Sequence, residues 1–253
     1  MSTVAIVQAR MTSTRLPGKI LLEVMDRSML AYQLERVARV PSIDAIVIAT
    51  TTNATDDPVE AFARDGGYGL HRGSENDVLA RFAGVLSEND AETVVRLTAD
   101  CPLTDPEVIE QTIQRFKSDD PACDYVTNAI PRSYPAGLDV EVFKRAALET
   151  AAAEARDPYD REHVTPFIYR NPDRFRLLSV VLEPSLAGER WTLDEPGDFE
   201  LIRRVLEALY PINPDFRMRD VIRILDENPE WRGLNGSVRE KPRVVENVIF
   251  KGE

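Results

Sequence analysis

The stretch "VQARMTSTRLPGK", residues 7–19, follows directly on the apolar run Val4-Ala5-Ile6-Val7 and has no hydrophobic period of its own. The β-branched "TVAIVQA" at 3–9 predicts a short buried strand, and residues 10–19 a loop at its carboxyl end. That loop carries Arg10, Arg15 and Lys19, with Thr12, Ser13 and Thr14 between them and Gly18 free to adopt positive φ. Backbone N–H groups set among cations form an anion nest, and a polyphosphate is its natural guest. The plainer alternative is a solvated basic loop, and position along the fold decides between them. The pattern is not G-x-x-x-x-G-K-[ST], which excludes an ordinary Walker ATPase.

Working outward, "SMLAYQLERVARV" at 28–40 has apolar residues at helical spacing with Ser28 as N-cap. "DAIVIATT" at 44–51 reads as a strand covered on both faces. "DDPVEAFARDGG" reads as a helix with Asp57 as cap, Pro58 at its first position and Gly66-Gly67 as its stop. The alternation continues with a helix at about 76–88, a strand at 92–99 and a helix at 105–117. Strand and helix in turn imply an α/β fold with a parallel sheet and helices on both faces. Such sheets bind ligands beyond the carboxyl ends of their strands, which is where the opening loop lies. The second half is less regular. "CDYVTNA", "GLDVEVF" and "FRLLSVVLE" (175–183) read as strands, 144–156 as an Ala-rich helix, and "RWTLDE" as a strand-like run before a helix at 196–209. No repeat or linker divides the chain, so a single domain over 1–253 is expected, with 228–253 as an extended polar tail.

The 253 residues, 43% apolar and 29% charged, suit a globular protein with a sizeable core. A net charge of −12 and a pI near 4.8 count against a nucleic-acid partner or an anionic membrane surface. Cys101 and Cys123 are not in a metal-like spacing, and two histidines make a His-based metal site improbable. The N-terminal apolar run is too short for a signal or a membrane span, so a cytoplasmic location is expected.

Asp100, in "RLTADCPLTDPE", ends an apolar strand before Cys-Pro, so its carboxylate should project into the cleft. A phosphate-binding site usually needs Mg²⁺, which takes one or two carboxylates while phosphates and waters fill the rest. Asp100 is the first metal candidate. Thr104 and Asp105 are better placed to cap the helix that opens at Pro106. In "RWTLDEPGDFELI", Asp194 is the second candidate. Asp198 and Glu195 also suit the first helical turn, where acids favour the macrodipole. Asp139 in "YPAGLDVEVF" is a third isolated acid. In "HRGSENDVLARF", Arg72, Gly73 and Ser74 could contact base or ribose, and Asn76 or Asp77 could equally be a plain N-cap. His163 in "DREHVTPFI" reads as structural, while its neighbour Arg161 could reach a sugar.

In this order, "VQARMTSTRLPGK", "RGSENDVLARF", "RLTADCPLTDPEVI", "YPAGLDVEVF", "REHVTPFI" and "RWTLDEPGDFELI" resemble the spore coat polysaccharide biosynthesis protein F family. That family lies within the acylneuraminate and CMP-Kdo cytidylyltransferase superfamily, and the similarity spans roughly residues 4–202. The resemblance implies a Rossmann-like nucleotide-diphospho-sugar transferase fold. It implies nucleotide contacts from Gln8, Ala9, Arg10, Ser13, Arg15, Lys19, Thr51, Arg72, Gly73, Ser74 and Asp77. Arg132, Asp139, Arg161 and His163 are the candidates for the sugar, and Asp100 with Asp194 for Mg²⁺. Related enzymes are often dimers, and the irregular 130–180 region is where a homodimer contact is expected.

The expected reaction is nucleotidyl transfer, in which a sugar hydroxyl attacks the α-phosphate of a nucleoside triphosphate, CTP by resemblance, and pyrophosphate leaves. Lys19 and Arg15 would neutralise the leaving pyrophosphate, and Asp100 would act through the metal. The rival is a metal-dependent glycosyltransferase using a finished nucleotide sugar, and a third reading is a non-catalytic nucleotide-sugar binder. A loop this rich in cations favours a triphosphate over a diphosphate, and the D-x-D pair common in glycosyltransferases is absent.

Overall fold

A computed structural model describes residues 2–118 and 123–236. Its strands are β1 (Thr3–Gln8), β2 (Glu23–Val24), β3 (Arg27–Ser28), β4 (Ala45–Thr51), β5 (Gly69–Gly73), β6 (Thr93–Thr98), β7 (Tyr125–Thr127), β8 (Glu141–Lys144) and β9 (Leu177–Ser179). Its helices are α1 (Met29–Val37), α2 (Asp57–Asp65), α3 (Val78–Ser87), α4 (Pro106–Ser118), α5 (Arg145–Glu154), α6 (Pro158–His163), α7 (Pro166–Tyr169), α8 (Pro196–Leu209) and α9 (Met218–Glu227). Seven strands form one sheet in the order β5-β4-β1-β6-β8-β7-β9, and β2 with β3 makes a separate small hairpin.

The run at the start of the chain shows why the sheet sits at the centre. Val4 and Ile6 face one core and Ala5 and Val7 the other, all fully buried. A strand apolar on both faces must be covered on both faces. The helices α1, α2, α4, α8 and α9 pack on the Ala5–Val7 side, while α3, α5 and α7 pack on the Val4–Ile6 side. Ser28 caps α1 by accepting from the Ala31 N–H, as its place in the sequence suggests.

Register fixes where the site can form. Gln8 lies opposite Ala49 of β4 and Thr98 of β6, so the three central parallel strands end along one edge. The exception in the sheet is β8, which runs antiparallel between β6 and β7, with Glu141 opposite Arg96. Reversal puts the start of β8, and Asp139 just before it, at the same edge.

Several sequence expectations come out shorter or altered, "CDYVTNA" and "GLDVEVF" being cut back to β7 and β8. The strand expected over 175–183 keeps only Leu177–Ser179, because Val181 turns to solvent beyond it. "RWTLDE" is extended and alternates buried Trp191 and Leu193 with partly exposed neighbours, yet among the described residues it makes only an isolated parallel bridge, Arg190 with Ala136. Its backbone bonds go instead to Ala136 and Asp100. The tail expected from 228 contains a 3₁₀ turn at Pro229–Leu234, and its remainder from 237 lies outside the described residues.

Candidate active site

The loop after β1 closes on itself through one carbonyl. Met11 O accepts from the N–H groups of Ser13 and Gly18, at 2.9 and 3.0 Å. Gly18 takes φ 70°, which turns the chain into the 3₁₀ segment Lys19–Leu21. The N–H groups of Thr12, Thr14 and Arg15 donate to nothing among the described residues. They are left available to an anion. The loop is anchored from below by Asp56. This fully buried carboxylate accepts from the Met11 N–H at 2.8 Å and from both hydroxyls and the backbone N–H of Thr50-Thr51.

Facing the loop are two acids from distant parts of the chain. Asp100 follows β6 after one residue, Ala99. The 190–195 segment docks beside it because Leu193 N donates to Asp100 O at 2.8 Å and Trp191 N to Ala136 O at 2.6 Å. This lays Asp194 next to Asp100. Asp198, fully buried in the first turn of α8, holds that segment in place. One of its oxygens accepts from the N–H groups of Asp194 and Glu195, both at 2.9 Å, and the other from Asn235 at 3.0 Å.

Lys19 links the two halves. Its Nζ lies 2.9 Å from Asp100 Oδ2 and 2.9 Å from Asp194 Oδ1. Arg15 reaches Asp194 at 2.9 Å and Glu195 at 3.5 Å, and Arg190 supports Asp194 from behind at 2.8 Å. Burial works against the Lys19 ammonium, yet Asp100 and Asp194 raise its pKa overall. Burial alone would lift the Asp194 carboxyl, but Lys19, Arg190 and Arg15 overcome it and hold the pKa at about 2. Cys101 beside them is buried, and burial together with Asp100 pushes its thiol well up, which removes it as a thiolate nucleophile.

The resulting cavity, of about 290 Å³, is lined by the expected Gln8, Arg10, Ser13, Arg15, Lys19, Asp100 and Asp194. Thr12, Thr14, Ile20, Thr98 and Ala99 complete it. The other expected residues do not line it. Ala9 is buried and donates its N–H to Ala49 O, and Thr51 serves Asp56. Arg72 is committed to Glu60, Asp57 and the carbonyls of Thr51 and Asn53, so it braces the β4–α2 connection. Gly73, the last residue of β5, packs against the Arg81 stem. Ser74 accepts from Asp77 N, and Asp77 caps α3 by accepting from Ala80 N. Arg161 pairs with Asp77 at 2.7 Å, which fastens α6 to the start of α3. Arg132 and Asp139 make a two-bonded ion pair at 2.8 and 3.1 Å, and the His163 ring packs tilted at 55° against Tyr159. Asp56, Arg190 and Glu75 were not anticipated. Glu75 accepts from Thr12 and Asn53 and lies 3.8 Å from Arg10. The signal for Asp56 was its place in "TDDP", which the reading of Asp57 as helix cap absorbed.

Among the described residues no three His, Cys, Asp or Glu side chains converge as a ready metal cage. Asp100 and Asp194 nevertheless hold one cationic centre between them, the Lys19 ammonium. Two carboxylates sharing a cation beside a phosphate nest is the donor set that Mg²⁺ accepts, with phosphates and waters completing its shell. The residues fit the ion.

A parallel sheet ending in a cation loop on one side and paired acids on the other defines a nucleotide-handling transferase. The chain belongs to the cytidylyltransferase family, whose model matches residues 4–214. It is 37% identical over 245 residues to an uncharacterized protein of Methanocaldococcus jannaschii, covering 95% of this chain and 97% of that one. It is 32% identical to the spore coat polysaccharide biosynthesis protein SpsF of Bacillus subtilis over 89% of this chain and 94% of that one. A solved cytidylyltransferase from Leptospira borgpetersenii serovar Hardjo-bovis superposes with a TM-score of 0.87 at 31% identity, covering 91% of this chain and 96% of that one. Membership places the protein with nucleotidyl transfer rather than glycosyl transfer, and the Rossmann-like fold is that of its relatives. No helix among the described residues is long and apolar enough to cross a membrane.

Proposed function

We propose that the protein joins CTP to a sugar or sugar acid with release of pyrophosphate, as a Mg²⁺-dependent step in cell-surface polysaccharide synthesis. The observation that carries this reading is Lys19 Nζ held between Asp100 and Asp194, inside a cavity whose other wall is a cation-bearing phosphate nest. The SpsF relative supports the polysaccharide context. Without ligand, Lys19 neutralises the two acids. In the complex its ammonium turns to the phosphates, where with Arg15 and the free N–H groups of the loop it stabilises charge on the departing pyrophosphate. Asp100 and Asp194 are the residues that would hold Mg²⁺, which when bound offsets charge at the α-phosphate and favours ionisation of the attacking hydroxyl. Arg190 and Asp198 keep Asp194 aimed at the cleft. The rest is positioning, since phosphoryl-type transfer asks little covalent work of a protein.

The test is pyrophosphate release from a panel of nucleoside triphosphates crossed with sugars and sugar acids, with Mg²⁺ or with chelator. Metal-dependent pyrophosphate release with CTP is the expected result. Release of nucleoside diphosphate from a nucleotide sugar and an acceptor would overturn it. Replacing Lys19 with Met should lower kcat/KM by roughly 30- to 1,000-fold, the range for removing a preorganised electrostatic group.

A further inference from the structure

Arg96 stands in the middle of β6, where its neighbours Val94, Val95 and Leu97 are core residues, and it is itself 9% exposed. A charge in such a strand is costly unless it is paired and hydrogen-bonded. Its partner is Glu141 of β8, the residue opposite it in register, 3% exposed. The other Glu141 oxygen accepts from the hydroxyls of Tyr125 and Thr165, both at 2.6 Å. The carboxylate is thus fixed from β7 and from the residue preceding α7. One donor of Arg96 points elsewhere: its Nε donates to Gln8 Oε1 at 3.1 Å. Gln8 lines the cavity.

An amide side chain has an accepting end and a donating end, whereas a guanidinium only donates. Arg96 therefore decides which way Gln8 faces. The carbonyl end must meet the Nε–H, because the flipped amide would set donor against donor. The NH₂ end is what remains for the cavity. We propose that Gln8 recognises the nucleotide as an obligate donor, to a phosphate oxygen or to an acceptor on the base or ribose. Arg96 and Glu141 are the positioning residues that enforce this. The inference rests on the triphosphate occupying this cavity.

The experiment measures dissociation constants of CTP and of inorganic tripolyphosphate by calorimetry, without sugar, with melting temperature as the fold control. Gln8→Glu keeps an acceptor for Arg96 but removes the donor. Arg96→Lys keeps a cation for Glu141 but removes the Nε–H that orients Gln8. The expected result is CTP binding weakened about tenfold or more by Gln8→Glu, the loss of a hydrogen bond to a charged or strongly polar acceptor. Arg96→Lys should weaken it about threefold or more, at a melting temperature that shows a folded protein. Equal losses for tripolyphosphate assign the acceptor to the phosphates, and a loss confined to CTP assigns it to base or ribose. CTP binding within twofold of wild type in Gln8→Glu, or in folded Arg96→Lys, overturns the proposal. If Arg96→Lys does not fold, the double variant Arg96→Met with Glu141→Met removes the buried pair as a unit and is judged by the same criterion. Wild-type protein that binds CTP yet releases no pyrophosphate with any sugar would count against the proposed reaction and leave the comparison at Gln8 readable.

Discussion

Lys19 is the residue at which the charges of the site are balanced, and its pH behaviour follows. The Asp194 carboxyl is held at about 2, below its unfolded value, so its contribution to stability is present above roughly pH 4 and lost as pH falls toward 2. Lys19 is raised, so its contribution is present below its unfolded value near 10.4 and lost only as pH rises beyond that. Between about pH 5 and 9 neither group changes protonation. The melting-temperature difference between wild type and Lys19→Met should therefore shrink below about pH 4, where the acids become neutral. A difference that persists undiminished down to about pH 2 would mean the pairing is not as described. Asp100 and Asp194 were legible in the sequence because each sits where an extended run stops, and Arg15 and Lys19 because they are cations in a loop without hydrophobic period after the first strand. Arg72, Asp77 and Arg161 were less so. Asp77, at a helix entrance, suits a ligand or a cap equally and here caps α3, while Arg72 in β5 is claimed by local acids and carbonyls and Arg161 in α6 by Asp77.

At the scale of elements, the turn from β4 into α2 acts as the foundation of the cation-bearing loop after β1. Asp56 occupies the cap position of α2 but makes no capping bond with its side chain. It reaches across to Met11 N instead. Asp56→Ala would strand two backbone N–H groups and two hydroxyls in a buried place. A loss of about 3 kcal/mol in urea unfolding is expected, together with weaker triphosphate binding. A loss under about 1 kcal/mol would show that the loop holds its shape unaided. β1, β4, β6 and the helices α1 to α4 of the first half were legible because each is either apolar throughout or periodic at helical spacing, while the short, polar β2, β3 and β5 were not. The helix at Pro196–Leu209 was read to the residue, since Pro196 and the acids before it mark its start. The later strands β7, β8 and β9 were found in "CDYVTNA", "GLDVEVF" and "FRLLSVVLE", but their ends and pairing were not. Their hydrogen bonds depend on partners far along the chain, as with 190–195, whose alternation reads as a strand but whose backbone meets Ala136 and Asp100.

At the scale of the molecule, the second half returns across the carboxyl edge of the sheet, and two close approaches lock it there. Gly137 has φ 102°, and a Cβ at that position would meet the Trp191 carbonyl carbon at 2.7 Å. Gly137→Ala therefore combines backbone strain with a clash that only main-chain movement relieves. A melting temperature lower by on the order of 10 °C is expected, corresponding to about 3 kcal/mol in a chain of this size. Asn235 binds both Asp198 and Arg190 O. Asn235→Ala should cost about 1 to 2 kcal/mol in urea unfolding and also lower kcat/KM, although no atom of Asn235 lines the cavity. Unchanged kcat/KM would show that Asp198 needs no support from this end of the chain.

The Lys19–Asp194 contact joins residues 175 positions apart. At synthesis rates of about 5–20 residues per second, the cation loop leaves the ribosome roughly 9 to 35 seconds before its second counter-charge exists. The nascent chain thus completes its β1–β4–β6 edge while Lys19 and Arg15 still lack Asp194. The segment that Asp198 pins, which brings Asp194 to the cavity, is added late in the making of each molecule.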